Sequence, residues 1–276
     1  MSDRSDASAG PAVRLERRGA GGAVAWIILD RPDRLNPMSP DLLAGFRARV
    51  AEARADRSIR AVVVTGAGKG FCAGADLLQL PQQIAASGQP GTIGTRTALR
   101  GMYDGFLCVL DLEVPTIAAV NGPAYGGGLG LAMLCDLRIA AADARLAANF
   151  VKLGIHPGMA LSYLLPAAVG PARAAELLFT GRTLSGAEAA AIGLVTRAVP
   201  REALEAEAQA LADEIAAAAP LAVRLAKRSL RAAMRFDPSL ALDLEAWSQA
   251  ATMETEDAAE GLAAAVARRT PEFEGK

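Results

Sequence analysis

The sequence has few of the side chains that most often carry metal and disulfide chemistry. It contains one histidine, His156, and three cysteines, Cys72, Cys108 and Cys135, in 276 residues. No two cysteines stand at zinc-ligand spacing, so neither a metal centre nor a disulfide scaffold is expected. Aromatic residues make up only 4% of the chain, and charge is balanced, with 29 Lys plus Arg against 30 Asp plus Glu. The electrostatic footprint of a nucleic-acid partner is therefore missing. The opening MSDRSDASAGPA lacks an apolar h-region, so residues 1–12 read as a disordered tail and a cytoplasmic protein with reduced thiols is expected. Two uncharged stretches, Val114 to Cys135 and Leu153 to Ala172, could span a bilayer by count alone. Pro115, Pro123 and Gly126-Gly127-Gly128 break the first, and Pro157, Gly158, Pro166 and Gly170 break the second. Such breaks leave backbone groups unpaired in lipid, so both stretches are read as the interior of a globular domain, with no membrane partner.

Hydrophobic residues account for 52% of the chain. Alanine alone is roughly a fifth of it, which favours helices that pack closely. Val24 to Leu29, Ala61 to Thr65 and Thr116 to Val120 are short apolar runs closed by turn residues, as buried strands are. Between the first two, Leu42, Leu43, Phe46 and Val50 have helical spacing, with Ser39 as N-cap and Pro40 at the first helical position. Alternating strands and helices predict an α/β fold with a mostly parallel sheet. Gln79 to Thr97 has no steady period and reads as a mobile segment beside a site, followed by a helix over Thr97 to Asp111. After Pro171 strands nearly vanish, apart from a short one within Leu194 to Val199. Leu204 to Ala218, Leu221 to Arg235, Leu240 to Ala250 and Asp257 to Arg269 read as amphipathic helices.

Two glycine-rich segments carry the chemistry. Gly68-Lys69-Gly70-Phe71-Cys72-Ala73-Gly74-Ala75-Asp76-Leu77 follows a predicted strand, where small residues let backbone N–H groups approach a ligand. The same segment also fits an ordinary β-to-α turn. It is no P-loop, because Lys69 lies between the glycines and no Gly-Lys-Ser/Thr closes the motif. Asn121-Gly122-Pro123-Ala124-Tyr125-Gly126-Gly127-Gly128-Leu129-Gly130 precedes an apolar helix. Three glycines at a helix N-terminus offer backbone donors and the positive end of the helix dipole, which suits an oxyanion; they equally permit tight packing.

Together these segments resemble the crotonase superfamily, the enoyl-CoA hydratase and isomerase fold. The likeness runs through LDRPDRLNPMS (Leu29 to Ser39), VVVTGAGKGFCAGADL (Val62 to Leu77), PTIAAVNGPAYGGGLGLAMLCDLRIA (Pro115 to Ala140), VKLGIHPG (Val151 to Gly158), TGRTLSGAEAAAIGLV (Thr180 to Val195) and a Pro-Glu-Phe ending. The resemblance implies a ClpP/crotonase-like α/β fold of repeated ββα turns over residues 13–200, with an acyl-CoA cleft. It also implies a helical region over 201–276 that builds a homotrimer or a dimer of trimers. No cofactor is implied beyond the coenzyme A of the substrate. In that family two backbone N–H groups hold the thioester oxygen as it gains enolate charge, and the matching positions are Ala75 and Gly127. Arg34, Leu35, Pro37, Ala73, Asp76 and Leu77 match positions that line the CoA cleft. Tyr125, Gly128, Gly130 and Phe150 are the further substrate-binding positions that the resemblance implies.

The likeness breaks at the acid and base. Family hydratases use two glutamates, and the matching positions here are Gly130 and Phe150. An aspartate used by related isomerases and a dehalogenase would fall at Gly158, and a lysine some hydratases place near the CoA phosphates at Leu78. Neither glycine nor phenylalanine can exchange a proton. His156, two residues past Gly154, is the substitute the sequence offers, with Tyr125, Asn149, Cys72 and Tyr163 as weaker candidates. Cys72, between Phe71 and Ala73, reads as a packing residue, and Asp76 as one that orients the backbone at a helix start. Three functions follow as expectations: a hydratase- or isomerase-like lyase that stabilises an enolate, an acyl-CoA-binding protein without chemistry, and a hydrolase or decarboxylase assisted by His156. Arg268, Arg269 and Phe273 either reach a CoA on a neighbouring subunit or form a solvated helix end.

Overall fold

A computed structural model describes residues 10–76, 79–86, 88, 91–233, 255–267 and 269–276. The main sheet has six strands in the order β1 (Val13–Arg18), β2 (Val24–Leu29), β3 (Ala61–Gly66), β4 (Thr116–Val120), β6 (Leu137–Ala141) and β9 (Arg197–Val199). The β1–β2 pair is antiparallel and every other pair is parallel. A second, three-stranded sheet joins β5 (Ala124–Tyr125), β7 (Arg145–Ala147) and β8 (Leu184–Ser185). Among the described residues the helices are α1 (Pro40–Ala55), α2 (Leu80–Ala85), α3 (Gly91–Leu107), α4 (Gly127–Leu134), α5 (Leu161–Val169), α6 (Pro171–Thr180), α7 (Gly186–Ala191), α8 (Leu204–Ala216), α9 (Pro220–Ala233) and α10 (Glu256–Ala267). Among the described residues no helix is long and apolar enough to cross a membrane.

Every residue of β2 and β4 is buried, as expected of strands covered on both faces. The edge strand β1 is different: Arg14 pairs with Asp30 at 2.7 Å, and Arg18 pairs with Glu16 at 2.7 Å and Glu205 at 2.5 Å. Charges on an outer strand discourage pairing with another chain, and here they also hide the strand from an apolar pattern. Above the sheet, the Phe46 and Phe106 rings meet edge to face at 5.1 Å between centroids, which fixes α3 across α1.

Three expectations change. Ser39 occupies the N-cap position of α1 with extended backbone, but its hydroxyl makes no capping bond. It donates instead to Asp41 Oδ1 at 2.5 Å. The expected mobile segment 79–97 holds α2 and the first turns of α3. There the Thr95 and Thr97 hydroxyls donate back to the carbonyls of Gly91 at 3.2 Å and Ile93 at 2.9 Å. The helix expected to begin at Thr97 thus begins at Gly91 and tightens into a 3-10 turn over Cys108–Asp111. The expected helix Leu240 to Ala250 and most of the expected N-terminal tail lie outside the described residues. From Gly10 the chain is tied to the sheet, because the Gly10 carbonyl accepts from Arg31 at 3.0 Å and Ala12 accepts from the Asp30 N–H at 2.8 Å.

The C-terminal helices dock through a charged clamp. Lys227 and Arg231, one turn apart on α9, reach the two oxygens of Asp136 at 2.7 and 2.9 Å. Lys227 also donates to the Val114 carbonyl at 2.6 Å, and Arg231 to that of Leu110 at 2.9 Å.

Candidate functional site

The two glycine segments and the 31–38 turn come together, and two asparagines sew them. Asn36 is fully buried. Its Nδ2 donates to the carbonyls of Gly70 at 2.8 Å, Ala67 at 3.1 Å and Phe71 at 3.3 Å, and its Oδ1 accepts from the Arg31 N–H at 2.7 Å. Asn121 donates to Gly66 at 2.9 Å, Gly68 at 3.0 Å and Gly70 at 3.3 Å. Ala73 N–H donates to Leu35 at 2.9 Å, Met38 N–H to Gly74 at 2.8 Å and Tyr125 N–H to Cys72 at 3.1 Å. The backbone on either side of the site is thus held in place by its own hydrogen bonds.

Several donors are left over, those of Ala75 and Gly127 among them. Among the described residues, neither the N–H of Ala75 nor that of Gly127 has a protein acceptor. The two are brought together by Gly74, which has φ +86° and where a Cβ would stand 3.4 Å from the Gly127 nitrogen and 2.5 Å from the Tyr125 carbonyl oxygen. At Gly128 a Cβ would stand 2.0 Å from the Cys72 carbonyl oxygen, so only glycine lets α4 approach this closely. All eight residues of α4 are buried, and Gly127 is its first residue. Unpaired N–H groups at the positive end of a buried helix form a site for a localised negative charge.

The space around the donors is largely apolar. Met38 Sδ would be 2.1 Å from a Cβ at Gly127. A Cβ at Gly130 would meet that of Met159 at 2.3 Å, and one at Gly126 would lie 3.5 Å from Phe150 Cζ. A Cβ at Gly158 would stand 2.4 Å from the Tyr103 hydroxyl. Among the described residues, the non-glycine residues at positive φ are Leu35 (58°), Asn36 (55°), Met159 (54°) and Ala160 (57°), two pairs that each border the donors. Left-handed backbone at such residues costs about 1–3 kcal/mol each and persists where its surroundings enforce it.

The other expected residues divide. Leu35, Ala73, Gly128 and Gly130 join the same cluster, and Pro37 sits in the turn between Asn36 and Met38, its carbonyl accepting from Ser39 N–H at 2.7 Å. Arg34 donates to Asp76 Oδ2 at 3.2 Å, which ties the 32–35 turn to the residue after Ala75, and the Asp76 carbonyl accepts from Leu80 N–H at 2.8 Å. The Tyr125 hydroxyl accepts from Arg145 at 3.2 Å. Cys72 is buried, and burial pushes its thiol up to about 12, which keeps it protonated at neutral pH. His156 is exposed, with Nδ1 2.7 Å from the carbonyl of Pro157. Asn149 lies beside Phe150, its Oδ1 3.5 Å from where a Gly126 Cβ would be, and Tyr163 is exposed. Leu77, Leu78 and Arg268 lie outside the described residues. Arg269 pairs with Glu260 at 2.6 Å, and the Phe273 carbonyl accepts from Arg60 at 2.9 Å. Sequence reasoning missed Asn36, Asn121, Met38, Met159 and Tyr103. For the two asparagines the only sequence signal was their place inside the glycine- and proline-rich turns.

The family model described as Enoyl-CoA hydratase/isomerase matches residues 19–276. The chain is 40% identical over 253 residues to a putative enoyl-CoA hydratase of Thermus thermophilus, covering 91% of this chain and 98% of that protein. It is 38% identical to the human mitochondrial enoyl-CoA hydratase domain-containing protein 2, over 99% of this chain and 93% of that one. The crystal structure of an enoyl-CoA hydratase from Bacillus anthracis superposes with a TM-score of 0.88 at 34% identity, covering 96% of this chain and all of that one.

Proposed function

The chain belongs to the enoyl-CoA hydratase/isomerase family and has its crotonase fold; from that premise we propose that it binds an acyl-CoA thioester and stabilises an enolate-type oxyanion between the N–H groups of Ala75 and Gly127. The observation that carries this reading is the pair of unpartnered donors gathered by Gly74. Each such donor, fixed in advance and away from water, is worth about 3–4 kcal/mol to a developing oxyanion. Arg34, Leu35, Pro37, Ala73 and Asp76 line the CoA side, and Tyr125, Gly128, Gly130 and Phe150 complete the substrate-binding set. A structure with bound acyl-CoA tests this directly: the thioester oxygen is expected between the two N–H groups, and an oxygen bound elsewhere defeats the reading.

Standard water addition is not expected, because Gly130 faces Met159 and Phe150 faces Gly126 where two carboxylates would be needed. The same apolar lining favours a second reading, an acyl-CoA-binding protein without turnover. Incubation with saturated, unsaturated and aromatic acyl-CoA thioesters, read by mass spectrometry, separates the two, since any product formed well above background removes the second. Where turnover is found, His156→Ala tests the hydrolase or decarboxylase reading: unchanged activity removes the imidazole from the mechanism.

The exposed apolar side chains of Val151, Leu153, Ile155, Tyr163 and Phe179 support assembly as a homotrimer or dimer of trimers. Three free cysteines, two of them buried, support a reduced, cytoplasmic setting.

A further inference from the structure

We propose that the Tyr103 hydroxyl contacts the substrate, donating a hydrogen bond to an oxygen on the β-carbon of the acyl group, and so favours β-oxygenated over plain hydrocarbon acyl chains. The proposal rests on the acyl-CoA reading above. Tyr103 is carried by α3, whose place is fixed by Phe106 against Phe46 and by Gly105, where a Cβ would stand 2.8 Å from Leu43. Its ring packs against the core, and its hydroxyl reaches Gly158, where a Cβ would be 2.4 Å from the oxygen. Only the missing side chain at 158 makes room for the phenol. Met159 follows directly, with Cγ 3.6 Å from where a Gly127 Cβ would stand. Tyr103, Gly158, Met159 and the open amide of α4 therefore form one continuous wall.

Among the described residues, that hydroxyl has no hydrogen-bond partner, and neither Gly158 beside it nor Met159 after it offers a titratable group. Burial raises the phenol above its usual value, so at neutral pH it keeps its proton and acts as a donor. A hydrocarbon acyl chain laid along this wall would strip water from the hydroxyl and leave it unpaired, which sites with fixed polar groups do not tolerate. An acyl oxygen replaces the lost water.

Calorimetric titration of the full chain and of Tyr103→Phe with butyryl-CoA and 3-hydroxybutyryl-CoA tests this. In the wild type the hydroxylated thioester is expected to bind about fivefold or more tightly than butyryl-CoA. In Tyr103→Phe that preference disappears while butyryl-CoA affinity is kept or improved, since the unpaired hydroxyl is gone, which also shows that the cleft is intact. Equal affinities in the wild type, the same preference in the variant, or loss of butyryl-CoA binding in the variant each overturn the contact. Failure of the wild type to bind either thioester overturns the acyl-CoA reading itself, and the contact with it.

Discussion

The two ends of α4 are built on opposite principles. At its start, backbone donors are left open and the side chains around them are trimmed to glycine, so that main chains touch and a charge from outside can enter. Just past its end, at Asp136, both carboxylate oxygens are engaged. One accepts from Lys227 at 2.7 Å and from the N–H and hydroxyl of Thr116 at 2.8 Å, and the other accepts from Arg231 at 2.9 Å. One end withholds partners to create a site; the other supplies them in excess to hold α9 on the sheet. The candidate site and the anchor are separated along a single eight-residue helix.

Breaking the closed end has the largest expected effect. Asp136→Ala leaves Lys227, which is 8% exposed, without its counter-charge. A loss of about 3–5 kcal/mol in unfolding free energy is expected from urea denaturation. On the proposed reading, breaking the open end costs oxyanion stabilisation instead. Gly74→Ala forces a side chain onto a φ of +86° and against the Tyr125 carbonyl, displacing the Ala75 donor. A fall of about 10²-fold in kcat/KM is expected for any thioester that the acyl-CoA panel proposed above finds to be turned over.

A smaller effect comes from pH. Burial alone would raise the Asp136 carboxyl, but Lys227, then Arg231 and the Thr116 N–H, outweigh it and hold it below its usual 3.8. A carboxyl depressed in the folded state stabilises above its unfolded value and loses that stabilisation as pH falls through the folded one. Stability is therefore expected to decline from about pH 4 downward, and Asp136→Asn to flatten that decline in a urea series run at several pH values. The smallest effect is a report from two thiols. Burial pushes Cys72, beneath Gly128, and Cys135, at the end of α4, each up to about 12. Neither is expected to alkylate with iodoacetamide in the folded protein. Gly74→Ala should expose Cys72 first, and Asp136→Ala should expose Cys135 first, in peptide mapping by mass spectrometry.

What the sequence shows of this arrangement follows from the range of the interactions. Strands β2 to β4 were legible because burial on both faces leaves an unbroken apolar run. Strand β1 was not, since Arg14, Glu16, Arg17 and Arg18 answer to solvent and to distant carboxylates. The open end of α4 was legible because backbone contact can be recorded in no residue but glycine, as at Gly128. Tyr103 was illegible for the converse reason. Its meaning depends on the glycine at 158, a tertiary contact that leaves no trace in the residues near Tyr103 itself. Asn36 likewise looks like a turn residue until the three carbonyls it binds are seen together.

The complete burial of α4 also decides how the ligand responds to ionic strength. Mobile ions screen charges in water within about 8 Å at physiological salt, yet they cannot enter between an oxyanion and amides enclosed by protein. Arg34, which is exposed, lies in that screened environment. On the acyl-CoA reading proposed above, added salt therefore divides one ligand in two, weakening the grip on its outer, phosphate-bearing part while the hold on the thioester oxygen stays as strong as before.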